Sequence, residues 1–151
     1  MNISISEEVR ARCPEAALGI LQYEAQVAPS SSALLELFEH TLRELSECHT
    51  LDSIAQIPHI AATRSAYKAL GKSPHEYRNA AEAMLRRIVK SNGLYHINNV
   101  VEINNLISVS SGYSIGSYDV SQLQGDVILA RAGEGVHYEG IGKASVNIEY
   151  L

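Results

Sequence analysis

Two doubled amides, Asn98-Asn99 and Asn104-Asn105, lie inside an apolar run made of Ile97, Val100, Val101, Ile103, Leu106 and Ile107. An amide offers donors and an acceptor without charge, so it orients water or holds a developing oxyanion rather than attacking a bond itself. Buried without a partner it costs about 1–3 kcal/mol, so amides in this run need a turn, a backbone carbonyl or a ligand. At helical spacing, positions 97, 100/101, 104 and 107/108 share one face. That places Asn104 on the buried stripe and Asn105 beside it. Asn98 and Asn99 stand at the front of the same helix, where Asn serves as a cap and ties the helix to a neighbouring loop. After the helix, Tyr113 and Tyr118 flank the glycine-broken stretch Gly112–Gly116 and could enclose a side chain or a base. With Asn98, Asn99, Asn104, Asn105 and Gly116 these tyrosines make up a candidate pocket, to which Asp119 either belongs or serves as an anchor for the loop.

Other chemistry is weakly signalled. His40, His49, His59, His75, His96 and His137 show no HxxxH or HExxH spacing, so no metal or other cofactor is expected. Glu134, His137 and Glu139 read as solvated residues around one hairpin. Cys48 and His49 are adjacent and do not face each other on a helix. The chain has no GxxxxGK[ST], no GxGxxG after a strand and no GxSxG, so ATP-dependent activation is not expected of it.

Apolar residues make up 46% of the chain and charged ones 19%, the balance of a soluble globular domain of 151 residues. No apolar run approaches the ~20 residues of a membrane helix. The start, MNISISEEVRARCPE, lacks a signal-type apolar core, so the expected location is cytoplasmic and without a membrane. Cys13 and Cys48 then read as reduced, buried thiols. The net charge of −5 hides an asymmetry: residues 61–90 carry seven basic against two acidic side chains. Arg64, Arg78, Arg86, Arg87 and Lys90 in that stretch are candidate phosphate contacts. The rest of the chain is too acidic for a general nucleic-acid coat, so any RNA contact would be local.

The elements that must position these residues follow from pattern. Ile3 and Ile5 suggest a short strand, with a helix from Ser6 that ends before Pro14. Residues 16–27 read as a strand. A helix begins at Ala33 behind Ser32, with Leu34, Leu35, Phe38, Leu42 and Leu45 inward. Another spans His59 to Leu70, stopped by Gly71. Two helix starts follow, one at Ser73-Pro74 and one at Asn79, the second running to about Ser91. Asp126 to Arg131 and Val136 to Tyr138 read as a hairpin about Gly133–Gly135, and Ala144 to Leu151 as a last strand. With helices in the middle and strands at both ends, the expectation is one α+β domain over residues 1–151: an antiparallel β-rich layer with a central helical cluster.

These blocks carry a resemblance. INNVVEINNLIS (97–108), YSIGSYD (113–119), LQGDVILARAGEG (123–135) and TRSAYKALGKSPHEYRNAAEAMLRR (63–87) resemble the B3/B4 domain of the phenylalanyl-tRNA synthetase beta subunit, and free-standing B3/B4 proteins more closely, from about Ile57 to Leu151. The resemblance implies a B3/B4-like fold, tRNA or aminoacyl-tRNA as partner, and hydrolytic editing of a mischarged aminoacyl ester, without aminoacylation by this chain. It also implies departures. The family's pocket His aligns with Gly116 and its pocket Thr with Asn104, and further pocket residues come from family sequence past Leu151, so the chain reads as truncated at its C-terminus. Gly116 fits either a left-handed backbone or a widened pocket. The alternative reading is a binding module for a free amino acid or similar small molecule, with the pocket kept and hydrolysis lost.

Overall fold

In the computed structural model residues 1–139 and 145–151 are described; Ala144, the expected start of the last strand, lies outside them. The elements in chain order are β1 (Ile3–Ile5), α1 (Glu7–Arg12), α2 (Ser32–Cys48), α3 (Pro58–Ala69), α4 (Ala80–Val89), α5 (Asn99–Ser111), β2 (Val127–Leu129), β3 (His137–Glu139) and β4 (Ser145–Asn147). Short 3-10 turns cover Ile54–Gln56 and Val120–Gln122. These elements form two compact units. One comprises Met1–Ile20, Ser65–Tyr77 and Val120–Leu151; the other comprises Leu21–Arg64 and Arg78–Asp119. No helix among the described residues is long and apolar enough to cross a membrane.

The unit spanning Leu21–Arg64 and Arg78–Asp119 is helical. Each of its main helices begins at a side-chain cap, which satisfies an otherwise orphaned N–H. Ser31 Oγ accepts from the Leu34 N–H at 3.3 Å, Asn79 Oδ1 from Glu82 at 2.8 Å, and Asn98 Oδ1 from Val101 at 3.0 Å. Their apolar stripes then meet: Phe38 and Leu42 of α2, Ala81, Leu85 and Ile88 of α4, and Leu106 and Val109 of α5 are buried together with Ile54 and Ile60. Each larger side chain contributes about 1.5–3 kcal/mol by leaving water, so this cluster is what holds α4 and α5 together.

In the other unit β1 and β2 pair in parallel, Ile3 opposite Val127 and Ile5 opposite Leu129. The Asn2 N–H donates to Asp126 Oδ1 at 2.8 Å and fixes the register. β3 and β4 pair antiparallel, His137 opposite Asn147. Arg131 gathers the unit: its Nε donates to the Leu70 carbonyl at 2.7 Å, its Nη1 lies 3.2 Å from Glu8, and its guanidinium stacks over Tyr150.

The α+β expectation holds in its coarse form, since helices and strands segregate. The antiparallel β-rich layer does not. The described strands are three residues long, in two separate pairs, one of them parallel. The expected hairpin between 126–131 and 136–138 is absent because β2 takes β1 as its partner and β3 takes β4. Alternation marks a strand but does not choose its neighbour. Residues 16–27 form no strand; Leu18, Ile20, Leu21, Tyr23 and Val27 are exposed, and no described strand lies alongside to complete a ladder. Ser73 starts one turn, with the Glu76 and Tyr77 N–H groups on its carbonyl, and no helix grows from it, the fate of a nucleus without propagation. Cys48 is exposed and Cys13 half-buried, both as free thiols, so neither is the buried thiol expected.

Candidate functional site

Every candidate residue, amide, aromatic or cation, lies in the helical unit. The helix carrying the cations, α4, packs against the helix carrying the amides, α5.

Three arginines converge on one carboxylate of α4, that of Glu82. Glu82 is fully buried. Arg64 Nη1 donates to both of its oxygens, at 2.9 and 3.0 Å, Arg86 Nε to Oε1 at 2.9 Å, and Arg78 Nε stands 3.9 Å from that same oxygen. Two of these pairs have a spacing visible in the sequence, four residues either side of Glu82: Arg86 shares a face of α4 with it, whereas Arg78 reaches it from just before the N-cap Asn79. Arg64 comes from α3 and is not legible that way. Arg87 points elsewhere: its Nε donates to the Gly93 carbonyl at 3.2 Å and its guanidinium lies 4.7 Å from the Tyr95 ring centre. Lys90 is the exposed C-cap of α4.

The amides of α5 divide into two kinds. Asn98 is the N-cap. Asn99 Oδ1 accepts from the Ala28 N–H at 3.0 Å and its Nδ2 donates to the Gln26 carbonyl at 3.0 Å, which ties residues 26–28 to the helix. Asn104 and Asn105 are half-buried, and no hydrogen-bond partner for their side chains occurs among the described residues. The buried face of α5 is not the apolar one that spacing suggested. Glu102, Leu106, Ser108 and Val109 are buried, whereas Ile97, Ile103 and Ile107 are exposed.

The reason is Glu102. Its carboxylate receives the Ser30 hydroxyl, the Ile97 N–H at 3.0 Å and His96 Nδ1 at 3.2 Å. Nε2 of the same imidazole lies 3.4 Å from Glu39, and its ring packs against Phe38. Burial pushes the Glu102 carboxyl up, but these donors and the neighbouring His96 outweigh it, and its pKa lies below the usual carboxylate value. A buried charge met by three donors fixes the rotation of the helix more firmly than one apolar stripe does.

Beyond Ser111 the helix ends at Gly112, whose φ of +78° is left-handed and whose N–H returns to the Ser108 carbonyl at 2.9 Å. Ser108 Oγ donates to the Tyr113 carbonyl at 2.6 Å. Tyr113 is exposed and stacks on His59 at 3.8 Å between ring centres, a partner that spacing in the sequence does not reveal. Gly116 lies outside the left-handed region, and a Cβ there would meet the Tyr118 ring edge at 3.4 Å. Tyr118 and Asp119 are exposed.

Residues 62–150 match the family model described as the B3/4 domain. No curated protein and no solved structure matches the chain.

Proposed function

The chain belongs to the B3/4 domain family, and from that premise we propose that it is a module related to the phenylalanyl-tRNA synthetase beta subunit that binds aminoacyl-tRNA. The observation that carries this reading is the packing of α4 against α5 within one unit. It sets a cation-bearing helix beside a helix with two half-buried amides that have no side-chain partner among the described residues. Cations on α4 suit the phosphate backbone. Asn104 and Asn105 suit the aminoacyl end, where amide donors can hold a water and the oxyanion that forms when it attacks an ester carbonyl. Tyr113, stacked on His59, and Tyr118 offer exposed rings to the group that the ester carries. The reaction this arrangement supports is hydrolysis of the aminoacyl ester by water, with no nucleophilic side chain.

The test compares charged and uncharged tRNA. Binding should be salt-sensitive and tighter for the charged form. Asn104→Ala should slow ester hydrolysis and leave the salt dependence of binding unchanged. Absence of tRNA binding at low salt by the folded protein overturns the proposal. Binding of charged tRNA with no hydrolysis above the spontaneous rate removes the catalytic half and leaves a binding module.

A further inference from the structure

Glu82 needs one cation, and it has gathered three. Arg64 alone engages both carboxylate oxygens, at 2.9 and 3.0 Å, and neutralises the buried charge. Arg86 and Arg78 are then drawn to Oε1 as well, at 2.9 and 3.9 Å. The cluster is left with two surplus positive charges beside one another. Like charges held this close repel, so the arrangement is favourable when an anion lies between them. The two surplus heads also reach water. The Arg64 side chain is 14% exposed, against 24% for Arg86 and 44% for Arg78. The terminal nitrogens of Arg78 and Arg86 have no protein partner among the described residues. A guanidinium presents its donors as a planar fork that matches the oxygens of a phosphate. Arg78 further stands immediately before Asn79, the N-cap of α4, where the positive end of the helix adds to the field.

We propose that Arg78 and Arg86 together hold a single phosphate of an RNA backbone, with Glu82 and Arg64 as the positioning residues that set them side by side. The proposal rests on the tRNA reading above and narrows it. Of the five basic residues that the sequence singles out, these two share one phosphate. Arg87 instead serves the turn after α4 through the Gly93 carbonyl.

The test measures tRNA affinity of the intact chain between about 50 and 200 mM salt for the parent, Arg78→Ala, Arg86→Ala and the double variant. Both single variants should weaken binding. The double variant should flatten the slope of log K against log salt by one phosphate contact, about 0.7–0.9, with the single effects non-additive. A loss of two contacts means two separate phosphates and overturns the shared site; an unchanged slope overturns the site while the tRNA reading stands. No tRNA binding by the parent overturns both. Glu82→Gln discriminates further. Removing a negative charge should strengthen RNA binding if only net charge matters, whereas the positioning role requires weaker binding by protein that remains folded by circular dichroism. Arg78→Ala keeps the test decisive if Glu82→Gln does not fold. Inorganic phosphate is the last probe. It should compete with tRNA on the parent and lose that competition in the double variant. If phosphate shifts the Arg78 and Arg86 side-chain resonances without displacing tRNA, the site belongs to free phosphate and the RNA assignment fails.

Discussion

Gly112 and Gly116 stand four positions apart and differ in what they can accept. At Gly112 the backbone is left-handed, φ +78°, and an added Cβ would lie 2.9 Å from Ile57 Cγ2. Gly112→Ala should therefore lower stability by more than about 1 kcal/mol, read as a lower denaturant midpoint. Gly116→Ala should change it by no more than about 0.5 kcal/mol, because its backbone is unstrained and its nearest neighbour is the side chain of exposed Tyr118. Of the two explanations for Gly116, the left-handed one is removed. Legibility follows the same division. The caps Asn79 and Asn98 could be read from the sequence, because a cap acts on its own next turn. Glu82 and Glu102 could not be read as buried charges, since their decisive partners Arg64 and Ser30 are distant in sequence and meet them only in the fold.

At the level of the element, α4 and α5 each depend on a polar contact in addition to their apolar stripe. Asn79 closes the first turn of α4, whereas Ser73 opens a turn that grows no further. Asn79→Ala should cost about 0.5–2 kcal/mol through loss of its cap. Ser73→Ala should leave the midpoint within error, and a cost like that of Asn79 would show that Ser73 does cap a helix. Helix α5 depends on a charge. The Glu102 carboxyl is held below its ordinary pKa in the folded chain, so it binds its proton less readily there than in the unfolded chain. The stability it contributes is complete above the unfolded-state pKa and is lost as pH falls through the folded-state value. Acid titration of unfolding should show this loss, and Glu102→Gln should flatten the acid limb while lowering stability at neutral pH. An acid limb that the substitution leaves unaltered would show that another carboxylate governs it.

For the whole molecule, buried apolar side chains set the order of local stability. Nine buried apolar residues lie in the helical unit, while Val9 and Leu70 are the buried apolar residues described in the other. Native-state hydrogen exchange should find the slowest amides in α2, α4 and α5, and faster ones in β1 to β4; equal protection would contradict that ranking. Helical periodicity made the first unit readable, since each stripe is local. The second depends on pairings across the chain, and a period of two does not say which strand pairs with which. One of those pairings also has a consequence in time. The Asn2 N–H meets Asp126, 124 residues later, and β2 is the strand that pairs with β1 among the described residues. At about 5–20 residues per second, a ribosome takes on the order of ten seconds to reach the partner. For that interval β1 waits without β2 while the amphipathic helices between them are already being made. A strand made before the helices that follow it is among the last elements to find its place.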